Sequence, residues 1–192
     1  MSEAGGIFRG RSVAEESAQA RLGQPSHVLP APPWVIDQDK RLAALADLGI
    51  MDTLSEEIFD KIVLRATQMC GTPVALISLV ADDRQWFKAR IGFGPCETPL
   101  SQSVCKYALD QRGVLVIPDL AADPRTSANA LVTGDPRIRF YAGARIKAGD
   151  GTPIGSLCVI DTVPRPRGLT PAQSAALEGL AFECSSLIAA RI

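Results

Sequence analysis

The sequence predicts an α+β fold in which terminal helices cover one face of an antiparallel β-sheet of about five to six strands. A short helix with loops is expected over a pocket on the other face. Two strand-like runs, 138–147 and 153–162, flank an Asp150-Gly151 turn and predict a β-hairpin. The run 74–80 is long enough for a central strand and too short for a helix. Helically spaced apolar residues close the chain.

Residues 1–36 are rich in Gly, Ser, Glu and Gln with prolines near the end, which predicts a weakly ordered leader. A single domain is expected over 37–192. Asp37 is predicted to cap its first helix. Ser55 is predicted to cap the second helix, and Gly71 to end it.

The next strand is predicted over 85–91, where alternation assigns side chains to two faces. One face is expected to hold Phe87, Ala89 and Ile91, and the other Trp86, Lys88 and Arg90. A short helix over about 103–111 and a strand over 114–117 follow. The joins resemble hairpins rather than βαβ crossovers, which favours an antiparallel sheet.

The last helix has a strong start signal, with Thr170 as the cap, Pro171 at the first helical position and Gln173 at the third. Its apolar stripe consists of Leu177, Leu180, Ala181, Cys184, Leu187 and Ile188. The final turns have little protein to cover them, so we expect this helix to pair with a second copy, with the first helix joining the bundle. The sequence therefore predicts a homodimer.

Composition excludes several classes of function. The chain has 192 residues with 20 Lys and Arg against 21 Asp and Glu, and no basic run suggests nucleic-acid binding. No apolar stretch is long enough for a bilayer and no secretory signal is visible, so a cytoplasmic location is expected. The single histidine, His27, lies in the leader, which removes Ser-His-Asp chemistry and His-rich metal sites. The five cysteines lack a CxxC pair and are expected to be free thiols, mostly buried.

Several sequence blocks together carry a family resemblance. They are 45–53, 59–60, 73–80, 84–88, 97–99, 103–105, 116–119, 123–125, 138–143 and 155–161. With these blocks the chain resembles a GAF domain from about residue 40 to 190. It is most similar to the subgroup found N-terminally in bacterial sensor histidine kinases and diguanylate cyclases.

The resemblance implies a ligand-sized cavity under the short helix and dimerisation through the terminal helices. It also implies a sensory, non-catalytic module that binds a small molecule or reports redox state. The signalling partner would be a protein such as a histidine kinase or a cyclase. Bilin-carrying GAF domains usually hold a Cys-His pair in the pocket helix, whereas here Lys106 follows Cys105. No cofactor is therefore assigned.

The candidate ligand-binding residues are Trp86, Lys88, Cys105, Asp119, Arg125, Phe140, Ser156 and Cys158. Cys105 lies in the first helical turn beside Lys106, and both features favour a thiolate; the alternative is a small buried core residue. Cys158 and Ser156 are expected on the cavity-facing side of their strand, together with Ile154.

The other candidates have simpler alternatives. Lys88 and Arg125 could receive an anion, or they could be surface residues. Trp86 and Tyr141 could stack on a flat ligand, or they could belong to the core or to an interface. Asp119 could contact a ligand, or it could hold its loop by bonding backbone groups.

A catalytic alternative comes from free methionine sulfoxide reductases, GAF proteins that carry a cysteine at about the place of Cys105. Such an enzyme needs a second thiol to resolve the oxidised cysteine. Phe140 and Cys158 stand where the reductases have acidic residues, and Cys96 is the only substitute for a resolving thiol. A third hypothesis is a structural dimerisation module whose cavity is filled by side chains.

Overall fold

The structure, a computed structural model, describes residues 36–191. A six-stranded sheet has the order β3-β2-β1-β6-β5-β4, and every neighbouring pair is antiparallel. The strands are β1 (Val74–Val80), β2 (Arg84–Ile91), β3 (Glu97–Pro99), β4 (Val114–Ile117), β5 (Phe140–Lys147) and β6 (Pro153–Asp161). The predicted α+β class and antiparallel sheet are confirmed. The leader prediction for residues 1–35 falls outside the described residues.

Five α-helices lie in the described part of the chain. They are α1 (Gln38–Asp47), α2 (Glu57–Cys70), α3 (Cys105–Ala108), α4 (Ala130–Thr133) and α5 (Pro171–Ala189), and a 3₁₀ turn (Leu100–Gln102) precedes α3. Helix α3 is much shorter than the predicted 103–111. Helix α4 and strand β3 were not predicted, because both are very short and lie in segments rich in Gly, Pro and Asp.

The helix ends follow mostly from local sequence. The Asp37 carboxylate accepts a hydrogen bond from the Lys40 amide at the start of α1, and Gly71 ends α2 with a φ of 62°. Thr170 and Gln173 form a complete capping box on α5. The expected Ser55 cap is wrong, because α2 begins one residue later with Glu56 at the N-cap.

Two apolar cores lie on opposite faces of the sheet. Helices α1, α2 and α5 cover one face, where the alternating residues Phe140, Ala142 and Ala144 of β5 are buried. Helix α3 and the loops around it cover the other, where Tyr141 and Cys158 are buried. Helix α5 packs against α2 and the sheet. The sheet therefore separates the terminal helices from α3.

The predicted faces of β2 are wrong because the strand contains a β-bulge. Ile77 pairs with Ala89 but its neighbour Ser78 pairs with Phe87, so Lys88 is the extra residue. Beyond the bulge the alternation is displaced by one residue, and Ala89 joins Trp86 in the helix-covered core while Phe87 lies on the α3 side. The sequence shows no period that would reveal such an insertion.

Ile154 was predicted on the α3 side of the sheet, together with Ser156 and Cys158. It lies in the helix-covered core instead. The β5–β6 register shifts between Ile146 and Lys147, close to the start of β6. Strand β6 therefore changes face before it reaches the residues that lie under α3.

Candidate functional site

Two buried cysteines meet between α3 and the sheet. The Sγ atoms of Cys105 and Cys158 are 3.7 Å apart, close enough for a thiol hydrogen bond. Cys158 lies in β6, opposite Leu76 of β1 and Gly143 of β5, so the sheet holds it from both sides. Cys105 is the first residue of α3. One thiol is therefore fixed in the sheet, while the other belongs to a single helical turn.

Hydroxyl groups surround this pair. The Tyr141 hydroxyl and Ser156 Oγ are 3.3 Å apart and fully buried. Ser78 is the β1 neighbour of Ser156 across the sheet. The Tyr141 side chain runs over Gly143, where an added Cβ would lie only 2.3 Å from the hydroxyl oxygen. The glycine is needed because the ring occupies the space above it.

A buried glutamine extends the polar cluster towards β3. Gln85 Oε1 accepts hydrogen bonds from Ser103 Oγ at 2.8 Å and from Ser78 Oγ at 3.3 Å. Its Nε2 donates to Thr98 Oγ1 at 2.6 Å. Throughout residues 36–191, every buried side-chain nitrogen and oxygen has a hydrogen-bond partner. The cluster is thus internally satisfied and does not require a ligand to pair its polar atoms.

The surroundings shift the pKa values of the two thiols in opposite directions. A hydrogen bond from Cys158 lowers the pKa of Cys105 to about 6; burial opposes this, and the hydroxyls of Ser156, Ser78 and Tyr141 add to it. The hydrogen bond with Cys105 and burial raise the pKa of Cys158 well above its ordinary value. The first proton to leave the pair is therefore that of Cys105.

The cation predicted beside Cys105 plays no part in this shift. Lys106 Nζ lies 3.5 Å from the Leu100 carbonyl oxygen and 5.2 Å from the centre of the Tyr107 ring. The lowered pKa comes from hydrogen-bond donors on the sheet instead. Adjacency in sequence did not place the ammonium beside the sulfur, because consecutive helical side chains point in different directions.

The cavity under α3 is much smaller than the expected ligand-sized one. It encloses about 20 Å³, between Cys105, Tyr141, Phe87 and the side chains around them. That is room for about one water molecule. Tyr141 lines it from the sheet, and Cys105 is the one residue of α3 that reaches it. A larger, open groove of about 420 Å³ runs along α5 beside Phe182, on the opposite side of the sheet from the cysteines.

Three predicted site residues lie on the helix-covered face. Trp86 and Phe140 are buried in that core. The Lys88 ammonium is also buried there, 2.7 Å from Thr53 Oγ1 and 2.6 Å from both the Leu54 carbonyl oxygen and a Glu56 carboxylate oxygen. These residues do not line the cysteine cluster.

Asp119 and Arg125 lie in the loop between β4 and β5. Asp119 accepts a hydrogen bond from the Ala121 amide, the loop-holding alternative considered for it. Arg125 forms a fork with Asp123, with nitrogen–oxygen distances of 3.0 and 2.7 Å, and its guanidinium lies over Tyr107. The fork lowers the pKa of Asp123 and raises that of Arg125. Both side chains are committed to the loop.

Of the eight predicted residues, the structure brings together Cys105, Ser156 and Cys158. The site prediction omitted Ser78, Gln85, Thr98 and Ser103, and it considered Tyr141 only for stacking on a flat ligand. A polar residue inside an otherwise apolar strand was the available signal for Ser78. In the part of the chain that the structure describes, no group of three metal-binding side chains occurs and no helix is suited to crossing a membrane.

The comparisons with known proteins agree on one domain type. The GAF domain family matches residues 55–188. A cyclic di-GMP phosphodiesterase of Pseudomonas aeruginosa is 44% identical over 134 residues, which are 70% of this chain and 23% of that protein. The chain therefore corresponds to less than a quarter of that relative's length.

Solved structures show the same fold at low identity. The GAF domain of an Acinetobacter phosphoenolpyruvate-protein phosphotransferase has a TM-score of 0.58 and 18% identity, covering 79% of this chain and 94% of that one. The type II free methionine-R-sulfoxide reductase of Thermoplasma acidophilum has a TM-score of 0.56 and 13% identity, covering 69% and 90%.

Proposed function

This chain belongs to the GAF domain family, and from that premise we propose that it is a non-catalytic regulatory module of a signalling protein. The relative at 44% identity is a cyclic di-GMP phosphodiesterase, and it supports an output of that class. The output would lie in the same polypeptide or in a partner such as a histidine kinase or cyclase. The input would be a small molecule or a redox change at the cysteine cluster.

The observation that carries the proposal is the placement of the cluster relative to the helices. Cys158 and Ser156 lie on the α3 side of β6, while Leu157 and Val159, between and beside them, are buried on the α5 side. A displacement of β6 caused by α3 therefore also moves the β6 residues that pack on the α5 side. Close packing makes such a layer rigid enough to pass on small shifts.

The small cavity limits what the input can be. A ligand larger than about one water molecule enters only if α3 lifts or Tyr141 turns away. Helix α3 is a single turn that leaves the sheet more readily than a long helix would. A ligand would have to favour that open state over the closed one in order to shift the equilibrium.

We also propose that two copies associate through the terminal helices. Phe182 on α5 is 76% exposed, and α2 beside it exposes Ile58, Leu64 and Met69. An exposed apolar surface of this kind is typical of interaction sites.

Within one chain, α5 packs against α2 rather than against α1, and an ion pair between Arg65 and Glu183 at 2.8 Å joins the two helices. Light scattering should show a dimer that Phe182→Glu converts to a monomer.

A second candidate, the methionine sulfoxide reductase, gains one supporting observation. Cys158 lies where a resolving thiol would be needed, a role that the sequence suggested only for Cys96. The cavity of about 20 Å³ argues against it, because an amino acid sulfoxide does not fit without rearrangement. Reduction of free methionine sulfoxide with a dithiol reductant, lost in Cys105→Ser, would support this candidate.

A domain exchange tests the regulatory role. Residues 37–191 would replace the matching region of the Pseudomonas phosphodiesterase, and cyclic di-GMP hydrolysis would be measured. If the domain regulates the enzyme, Cys105→Ser in the hybrid should change the rate of cyclic di-GMP hydrolysis. Cys96→Ser, at an exposed cysteine, should leave that rate unchanged. Equal hydrolysis by the hybrid, both variants and a form without the domain would contradict the proposal.

A further inference from the structure

We propose that Cys105 and Cys158 form a redox-active dithiol whose oxidant is a small hydroperoxide and whose product is a buried disulfide. The proposal rests on the proposed function only for its consequence, because the disulfide can form whatever output the domain controls. It begins from the Sγ–Sγ distance of 3.7 Å. A disulfide needs about 2.05 Å, so the sulfurs must approach by roughly 1.7 Å.

The approach must come from α3. Cys158 is held in the sheet by β1 on one side and β5 on the other. Cys105 belongs to a four-residue helix that begins at Cys105 itself. A short helical turn shifts by an ångström or two at much less cost than a central strand, because fewer backbone hydrogen bonds hold it. The disulfide would therefore draw α3 towards β6.

The chemistry of the two thiols is asymmetric in the way that the reaction needs. Cys105 lines the small cavity, whereas Cys158 does not. Thiolates rather than thiols attack peroxides, and Cys105 is the first of the pair to lose its proton. The other buried cysteines differ: burial raises the pKa of Cys70 and raises that of Cys184 to about 12. Cys105 is thus the attacking sulfur.

The reaction balances in two steps. The Cys105 thiolate attacks one peroxide oxygen, the O–O bond breaks, and a sulfenic acid and hydroxide form. The Cys158 sulfur then attacks the Cys105 sulfur, the S–O bond breaks, and a second hydroxide leaves. The Cys158 proton converts one hydroxide to water. Two electrons pass from the sulfurs to the peroxide, and an external dithiol restores the pair by thiol–disulfide exchange.

The size of the cavity selects the oxidant. A cavity of about 20 Å³ holds about one water molecule, so the oxidant must be little larger than water, as hydrogen peroxide is. A disulfide peptide or an amino acid sulfoxide is many times larger. The site has no cationic side chain among its hydrogen-bonded members, so it has nothing to attract an anionic oxidant. A small neutral hydroperoxide fits both conditions.

The test treats the reduced full chain with hydrogen peroxide, alkylates the remaining thiols after denaturation, and maps the peptides by mass spectrometry. We expect a Cys105–Cys158 disulfide with the loss of two hydrogens. Cys158→Ser should stop at a sulfenic acid on Cys105 that a cyclic dione traps, and Cys105→Ser should form no disulfide at this site. Cys96→Ser is the matched control and should still form it.

Three results would overturn the proposal: a Cys105 that stays reduced while Cys96 is oxidised, a disulfide between Cys105 and Cys96, or faster oxidation of the pair by free methionine sulfoxide than by peroxide. The last would support the reductase instead. Mapping of the unaltered chain decides the matter even if a variant fails to fold. Failure here would leave the domain-exchange test of regulation intact, because that test measures hydrolysis rather than disulfide formation.

Discussion

Removal of one hydroxyl should change the pH at which Cys105 reacts. The Tyr141 hydroxyl is among the donors that lower the pKa of Cys105 to about 6. Tyr141→Phe removes that donor and keeps the buried ring. A hydrogen bond to a charged group contributes about 1.5–3 kcal/mol. The other hydrogen-bond donors contribute more than Tyr141, so the lower end of that range applies. At about 1.4 kcal/mol per pKa unit, the pKa of Cys105 should rise by about one unit.

The direction of the effect depends on pH. In the unaltered chain Cys105 is about 90% thiolate at pH 7 and loses the thiolate as the pH falls through about 6. In Tyr141→Phe the thiolate fraction at pH 7 should fall to about 50%. Oxidation should therefore slow by about twofold at pH 7, by close to tenfold at pH 5, and hardly at all at pH 9.

The assay measures the rate of Cys105 oxidation by hydrogen peroxide from pH 5 to pH 9 by quenched mass spectrometry. Tyr107→Phe is the matched control, because the Tyr107 hydroxyl donates to the Arg125 carbonyl oxygen at 3.1 Å instead. If Cys105 oxidation had the same pH midpoint in both variants, the Tyr141 hydroxyl would not be lowering the pKa of Cys105. A midpoint near 8.5 in the unaltered chain, where an ordinary thiol titrates, would likewise show that the pKa of Cys105 is not lowered.

Three further predictions concern stability and can be measured by urea unfolding. Relative to Cys105→Ser, the free energy of unfolding of the unaltered chain should rise as the pH increases from about 6 to about 8.5, by at most about 1.4 kcal/mol per pH unit, because the unfolded thiol keeps a proton that the folded one has lost; a pH-independent difference would contradict the lowered pKa. Gly143→Ala should cost about 1–3 kcal/mol, since the new Cβ would meet the Tyr141 hydroxyl; Gly179→Ala, a helical glycine with open space around it, should instead gain up to about 1 kcal/mol, and equal effects would show that the ring is not confined. Lys88→Met should cost about 1–3 kcal/mol because it leaves buried acceptors unpaired, yet it should not alter Cys105 oxidation, and a changed oxidation rate would contradict its placement on the far face.

Local signals predicted most of the fold. The Asp-Gly turn, the β1 run and the capping box at Thr170 each depend on a few consecutive residues, and each is present in the structure. The faces of β2 and of early β6 could not be predicted in the same way. An inserted residue at Lys88 and a register shift near Ile146 depend on how neighbouring strands pair, and alternation along one strand does not record that.

The site was predictable only in part. Cys105, Ser156 and Cys158 were chosen separately, but the meeting of two thiols 53 positions apart is a property of tertiary packing. The sequence gives no measure of cavity volume either. Gly143 leaves space above the sheet, and the Tyr141 side chain from the same strand occupies it. An aromatic residue two positions from a glycine was the signal that could have been used.

Oxidation of the cysteine pair under α3 should change the structure or dynamics of α5, because the sheet packs against both helices. Hydrogen–deuterium exchange of the reduced and peroxide-treated chains tests it most directly. We expect slower exchange in α3 together with altered exchange in β6 and along α5. Changes confined to α3 and its adjoining loops, with α5 exchanging identically in both states, would contradict it.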